Sequence, residues 1–336
     1  MTKIIQTLET IWYQDKKPPL LLIALSRIYG FLFKTRKALF DSGVFSSDKP
    51  EVPVIIVGNL NVGGTGKTPL TLYLANALSK AGKKVGIATR GYKGKKSNSM
   101  PYILDETSDA QDYGDEAVYL SRHSNAIVCV CSQRLKAANL LFERGVDVIL
   151  SDDGLQHFAL KRDLELVVVS SDRAFGNRRL LPAGPLREGL DRLDTIDLIC
   201  LNGKKIDEDL HLENTIGFEI ENKTAKNIHN GQIRSIDAFI NHDVNLIAGI
   251  GDPNVLIQKL IKLGININHI KVADHGAIDS SEIKNLQGTS LFLTPKDLVK
   301  YSRDDLPKET WELIPEMMID QSQEQSMMNK IFEIIQ

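Results

Sequence analysis

Apolar runs recur along the chain between short polar stretches, and they fall into two kinds. The first kind is helical. Residues 18–33 read PPLLLIALSRIYGFLF. This is shorter than the ~20 apolar residues a membrane span needs, and Arg27 interrupts it. Lys34, Arg36 and Lys37 follow at once, then Phe40 and Val44-Phe45. Basic residues flank the run on both sides and no A-x-A-like site follows, so it is not a cleaved signal peptide. An apolar helix with a basic shoulder suits a membrane interface, where anionic headgroups attract each Lys or Arg by about 1 kcal/mol. The same pattern suits a helix docked on the protein's own core, and the pattern alone divides evenly between the two.

The second kind is short, β-branched and strand-like. Val52–Val57, Val85–Thr89, Ala126–Cys131 and Val146–Leu150 are such runs, and each predicts a buried strand. After the first, Leu70, Leu74, Ala77 and Leu78 recur at helical spacing, and Gly82 closes that helix. Strands alternating with helices predict a parallel α/β sheet. Residues 202–243 turn polar, with Asn230-Gly231 as a hairpin signal between Ile216–Ile220 and Ile233–Ile236. Val244–Ile250, Ile265–Val272 and Ser290–Leu293 then predict strands, with helices over Pro253–Leu263 and near 280–287. No internal repeat is present.

A length of 336 residues corresponds to about two domains at roughly 150 residues each. Hydrophobic residues make up 42% and charged residues 25%, an ordinary globular composition that excludes a disordered tail, a collagen and a polytopic membrane protein. The net charge of −2 is too neutral for a simple nucleic-acid coat. It averages an asymmetry, however. Residues 1–50 hold eight basic and four acidic side chains, a net of +4, which leaves −6 for the rest. The three cysteines, Cys129, Cys131 and Cys200, do not form a disulfide framework. Cys129 and Cys131 alternate along one strand face, as small buried residues or as a metal pair, and so few thiols fit a reducing compartment.

Chemistry concentrates where strands give way to loops. Between the first strand and its helix lies Gly63-Gly64-Thr65-Gly66-Lys67-Thr68. Such a loop presents backbone N–H groups to phosphates at a helix N-terminus. Lys67 would reach the β/γ-phosphates and Thr68 would bind Mg²⁺. The strict pattern wants glycine at position 61, where this chain has Asn61, a residue that tolerates unusual backbone angles. No G-x-G-x-x-G opens the helix, which disfavours a dinucleotide. Val146–Leu150 runs into Ser151-Asp152-Asp153-Gly154, and an acid at the end of a neighbouring strand helps hold Mg²⁺ in such proteins. Asp115 and Glu116 precede another helix, where a capping role is equally consistent. Residues 172–188, DRAFGNRRLLPAGPLRE, form an irregular loop rich in arginine, which suits anionic groups. Arg90 joins the same side if the sheet is parallel.

Together GNLNVGGTGKTP, TRGYKG, GDE, SDDGLQH, FGNRRLLPAGPLREG and the later DH resemble the tetraacyldisaccharide 4′-kinase family, the lipid A 4′-kinases of Gram-negative bacteria, from the apolar helix to about Lys300. The resemblance implies an α/β fold: a P-loop NTPase-like parallel-sheet domain, a second, smaller α/β domain and an N-terminal amphipathic, membrane-associated helix. The expected boundaries are 1–45 for the helix, 46–205 for the kinase domain, 206–243 for a β-ribbon linker and 244–336 for the smaller domain. It implies ATP and Mg²⁺ as cofactors and a lipid disaccharide substrate phosphorylated at its 4′-hydroxyl. It further implies a peripheral place on the cytoplasmic face of the inner membrane, with no nucleic acid and no obligate protein partner.

The family's motifs map Asp115 and His275 as the pair that activates the sugar hydroxyl, and Arg187 as a catalytic cation beside Lys67. Nucleotide contacts map onto Gly63, Gly64, Thr65, Gly66, Lys67, Thr68, Gln156 and His157. The metal acids are Asp152 and Asp153, with Thr68 and Glu116 as further candidate metal ligands. The sequence departs from the family at Ile278 after its DH, at Pro295 in Thr294-Pro295-Lys296-Asp297, and at Asp252 where Asn is usual. Two rival classes remain at this level. A membrane-associated regulatory ATPase or GTPase leaves the PAGPLRE loop without a reason. A soluble small-metabolite kinase leaves the apolar N-terminus without one.

Overall fold

Val54–Gly58 (β1) is buried at every position, as its unbroken apolar run requires of a central parallel strand. Ile55 and Val57 join the core on one face of the sheet, and Val54 and Ile56 join the core on the other. The computed structural model describes residues 2–14, 16–96, 99–203, 212–272, 276, 278–279, 282–283, 285–286 and 288–335, with residues 2–6 described in backbone only.

Around β1 stand β2 (Val85–Thr89), β3 (Tyr102–Ile103), β4 (Ile127–Val130), β5 (Val148–Asp152), β6 (Leu164–Ser170), β7 (Leu198–Asn202) and the long β8 (Thr215–Asn227). The later strands are β9 (Ile233–Ser235), β10 (Asp243–Ile247), β11 (Asn266–Ile270), β12 (Ser290–Leu293) and β13 (Thr310–Ile319). Among the described residues all belong to one thirteen-stranded sheet, ordered β11-β10-β12-β13-β8-β7-β6-β1-β5-β2-β4-β3, with β9 on β8. From β8 to β4 neighbours run parallel, and so do β11, β10, β12 and β13. The two parallel sets meet at one antiparallel seam, β8 with β13.

Register along the seam sets the architecture. The last residue of β7, Asn202, stands opposite Phe218 of β8. The last residue of β12, Leu293, stands opposite Glu312, and Glu312 opposite Lys226. The two sets therefore point their carboxyl ends at each other along β8. At about 3.3 Å per residue the interval from Phe218 to Lys226 is roughly 26 Å. Loops from both sets fill that interval. Ligands of open parallel sheets gather at such ends, and here two sets of ends face one cleft.

Helices α1 (Thr2–Tyr13) and α2 (Leu20–Asp41) precede the sheet. The single helix expected over 1–45 is two helices, and the signal of the first is the spacing of Ile4, Leu8, Ile11 and Trp12. No helix of the described residues is long and apolar enough to cross a membrane. Of the 22 residues of α2 only Gly30 is buried, because a Cβ there would stand 2.7 Å from Leu180 Cδ1. Leu20, Leu21, Leu25, Ile28, Phe31 and Leu32 are exposed. The opposite face docks: Ser26 Oγ donates to Leu180 O at 2.8 Å, and the Phe33 ring packs on Phe158.

The nucleotide-side helices are α3 (Lys67–Lys80), α4 (Ala110–Tyr113), α5 (Asp115–His123) and α6 (Arg134–Glu143), and α7 (Pro253–Lys262) follows β10. Leu70, Leu74 and Leu78 of α3 are fully buried, each contributing about 1.5–3 kcal/mol through that burial. Strand β13 and the helix Gln321–Ile335 also lay beyond the elements anticipated. Met327, Met328, Ile331 and Ile335 of that last helix join the same core as Leu70 and Leu74. Of the helix expected near 280–287, residues 280, 281, 284 and 287 lie outside the described residues.

Candidate active site

The loop after β1 is braced from within. Asn59 is fully buried, and its Nδ2 donates to Gly63 O at 3.3 Å and to Thr65 Oγ1 at 3.2 Å. Asn202, at the end of β7, donates from Nδ2 to Thr65 O at 3.1 Å. Gly63 and Gly66 take φ of +109° and +104°, which side chains rarely adopt. Asn61 takes no such angle, so tolerance of unusual backbone is not what lets it stand in place of glycine. Its Nδ2 instead donates to Ala174 O at 2.6 Å and pins the glycine-rich loop to the arginine-rich loop. Helix α3 begins at Lys67 with no side chain capping its first turn, which leaves amides aimed where an anion can sit. Thr68 lies in that turn.

Opposite the loop, β5 ends in Asp152 and β5's successor Asp153 takes φ of +50°. Asp153 Oδ1 receives Arg187 Nη1 at 2.8 Å and lies 3.6 Å from Lys67 Nζ. Burial pushes its carboxyl up, but Lys67 and Arg187 together outweigh burial and hold it well below the usual range. Asp152 is buried and accepts from Thr71 Oγ1 at 3.1 Å. Burial, reinforced by the negative charge of Glu116, pushes it up to about 7. Gln156 Oε1 accepts from Arg187 at 3.2 Å while its Nε2 donates to Glu188 Oε1 at 2.6 Å. Lys67, Asp153, Gln156 and Arg187 are thus in one constellation.

His157 is half-buried, and burial together with the Arg134 charge lowers it to about 3, so its ring is neutral at neutral pH. Arg134, which no motif marks, is 2% exposed. It donates to Cys131 O at 2.7 Å and to Asp152 O at 3.3 Å. Its only sequence signal is a place just past the carboxyl end of β4. Asn59 has no sequence signal of its own, because a single Asn in a turn signals nothing by type. Cys129 and Cys131 are free, buried and in one core cluster, as their alternation predicts.

Asp115 opens α5 and is 5% exposed. Its Oδ1 accepts from Glu116 N at 2.9 Å, and its Oδ2 lies 3.7 Å from Lys300 Nζ. Glu116 pairs with Lys296 at 3.1 Å. His275 lies outside the described residues. No three His, Cys, Asp or Glu among the described residues converge as a ready-made metal cage.

Across the cleft, residues 249–252 descend from β10 onto the glycine-rich loop. A Cβ on Gly64 would stand 2.9 Å from Gly251 Cα, and one on Gly251 only 2.6 Å from Gly64 Cα. Arg173 Nη2 donates to Gly251 O at 3.0 Å and pairs with Asp252 at 3.5 Å. Asp252 also caps α7, accepting from Asn254 N. Helices α1 and α2 buttress the arginine-rich loop. Trp12 Nε1 donates to Pro182 O at 3.0 Å and Tyr29 Oη to Arg187 O at 2.9 Å. Arg36 donates to Gln156 O at 3.2 Å.

A mixed α/β sheet with a glycine-rich loop, a lysine and paired carboxylates at its strand ends defines a phosphate-handling protein, a class that holds both kinases and hydrolysing switches. Within that class the chain belongs to the tetraacyldisaccharide-1-P 4′-kinase family, whose model matches residues 19–333. It is 36% identical to the tetraacyldisaccharide 4′-kinase of Aliivibrio fischeri over 97% of this chain and 99% of that one. It is 35% identical to the enzyme of the same name from Vibrio cholerae, over 98% and 97%. A crystal structure of LpxK from Aquifex aeolicus in complex with ATP superposes with a TM-score of 0.78 at 28% identity, covering 94% of this chain and 98% of that one.

Proposed function

We propose that this chain transfers the γ-phosphoryl group of ATP to the 4′-hydroxyl of a tetraacyl glucosamine disaccharide 1-phosphate, giving lipid IVA in lipid A biosynthesis. The observation that carries the reading is the convergence of Lys67, Asp153, Gln156 and Arg187 beside the glycine-rich loop. Phosphoryl transfer asks mainly for positioning and charge neutralisation. The amides of Gly63–Thr68 and the Lys67 ammonium receive the phosphates. Arg187, oriented by Asp153 and Gln156, supplies a second positive charge. Asp115 accepts the proton of the attacking hydroxyl, with His275 as its partner; such assistance is typically worth 10²–10⁴-fold.

The oxygen donors here suit magnesium, which takes one or two carboxylates and keeps several waters. Burial first and the Glu116 carboxylate second raise Asp152 to about 7, and a divalent cation beside it would favour its ionised form. Thr68, Asp152 and Asp153 would hold the ion, with Glu116 alongside, and the bound ion would neutralise phosphate charge. The exposed apolar face of α2 and the basic residues around it support a peripheral seat on the cytoplasmic face of the inner membrane.

The test supplies labelled ATP to purified protein with and without the lipid disaccharide in detergent. Label is expected in lipid. Hydrolysis independent of lipid would instead support a nucleotide-driven switch.

A further inference from the structure

The turn Pro295–Leu298 and the residues after it carry two buried charges, Asp297 and Lys300, that the reaction scheme leaves unused. Lys300 Nζ sits 2.7 Å from Asp297 Oδ1, 3.2 Å from Gly276 O and 3.7 Å from Asp115 Oδ2. The side chains of Lys300, Asp297 and Asp115 are 7%, 0% and 6% exposed. Buried charges at such low exposure are costly unless paired and hydrogen-bonded. A lone ammonium has three donors, and three acceptors surround this one.

Asp297 is a fixed anchor rather than a mobile counter-ion. Its Oδ2 accepts from Gly249 N at 2.8 Å and from Thr294 Oγ1 at 2.6 Å. Gly249 has no room for a side chain, since a Cβ would stand 2.7 Å from Asp297 Oδ1 and 3.2 Å from Lys300 Nζ. Gly249 begins the same 249–252 loop whose Gly251 rests on Gly64. The other carboxylate of the cluster, Asp115, has its Oδ1 held by the Glu116 amide, so Lys300 addresses its remaining oxygen.

We propose that Lys300 is a positioning residue for phosphoryl transfer, an ammonium that aligns Asp115 from the far side of the cleft and ties that alignment to the loop resting on the glycine-rich loop. The inference rests on the reading of Asp115 as the base. It explains why a lysine stands here: one cation joins the end of β12, the segment after β11 and the start of α5. When the two sheet sets come together the base is placed by the same contact. Lys300 touches no reacting atom itself.

Steady-state kinetics on the full chain test it, with ATP and the lipid disaccharide varied in turn for wild type, Lys300→Met, Lys300→Arg and Asp115→Asn. Misplacing a reacting group by about 1 Å costs on the order of 10²-fold. Lys300→Met is expected to lower kcat by about that factor, with both KM values within about two-fold of wild type. Lys300→Arg, which keeps the charge, is expected to recover part of the loss. If Lys300→Met yields no folded protein, Lys300→Gln, which keeps donors for Gly276 and Asp297, carries the same expectation. Unchanged kcat in the uncharged variant overturns the proposal, as does a loss confined to the KM for ATP. Wild-type kcat in Asp115→Asn would strike down the base reading instead, whatever Lys300 does.

Discussion

Asp152 and Asp153 are adjacent in sequence yet their surroundings treat them oppositely. Asp153 meets two cations and stays ionised; Asp152 meets burial and another carboxylate and is pushed up to about 7. Motif spelling cannot distinguish them, because the difference comes from Lys67 and Arg187 arriving from elsewhere in the chain. The residue types of the site were legible in the sequence for a simple reason: loops at strand ends bind phosphate through backbone and a few charged groups at fixed spacing. Their pairing was not. That Gln156 bridges Arg187 to Glu188, or that a lone Arg134 is buried, depends on contacts across many residues. His157 carries a prediction at this scale. Its folded value of about 3 lies below the ordinary 6.5, so between those limits the unfolded chain binds more protons than the folded one. Stability contributed by His157 is therefore complete above about pH 6.5 and is lost as pH falls toward 3. One proton sets an upper slope of about 1.4 kcal/mol per pH unit. Urea unfolding at pH 7 and pH 5 is expected to show a smaller acid-induced loss in His157→Gln than in wild type. Equal losses would count against it.

Helix α2 is the element on which sequence pattern left an even choice, and the structure shows why it did. One face leaves Leu25, Ile28, Phe31 and Leu32 exposed, while Ser26, Tyr29 and Arg36 on the other face bind the carbonyls of Leu180, Arg187 and Gln156. An apolar helix with polar residues at the docked face reads from sequence as either an anchor or a core helix. Two variants separate the faces. Leu25→Glu with Ile28→Glu is expected to reduce co-sedimentation with anionic vesicles, while stability shifts by only about 0.5 kcal/mol per exposed site. Tyr29→Phe removes a hydrogen bond worth about 1 kcal/mol from the residue that carries the Arg187 guanidinium. It is expected to slow turnover with vesicle binding intact. Vesicle binding unchanged in the doubly charged variant would remove α2 from the membrane account.

At the scale of the whole molecule, the decisive fact is the antiparallel seam, which turns two ordinary parallel sets face to face. The strands of each set were readable from their apolar runs. The seam was not, since β13 mixes Glu312, Pro315 and Glu316 with apolar residues and pairs with a strand more than eighty positions earlier. Because the two sheet sets touch at Gly64 and Gly251, adding a methyl group there probes the contact directly. Gly251→Ala places a Cβ 2.6 Å from Gly64 Cα, so the two loops must separate. The expected result is a KM for ATP raised on the order of ten-fold with the overall fold retained by circular dichroism. An unchanged KM would mean that the contact between the loops does not matter to nucleotide binding.

The helix Gln321–Ile335 gives the seam a consequence in time. It packs Met327 and Ile331 into the core that α3 and β1 share, with Gln323 receiving the amide of Gly217 and Lys330 donating to Asp197 O. On the ribosome, every strand, loop and carboxylate of the nucleotide site is made before this helix. The half of the protein that holds the glycine-rich loop therefore waits, with apolar surface uncovered, until residues more than a hundred positions downstream have been synthesised. Until then it exposes apolar surface of the kind that favours aggregation, and a premature stop just before residue 321 would spare every site residue while leaving their scaffold unfinished.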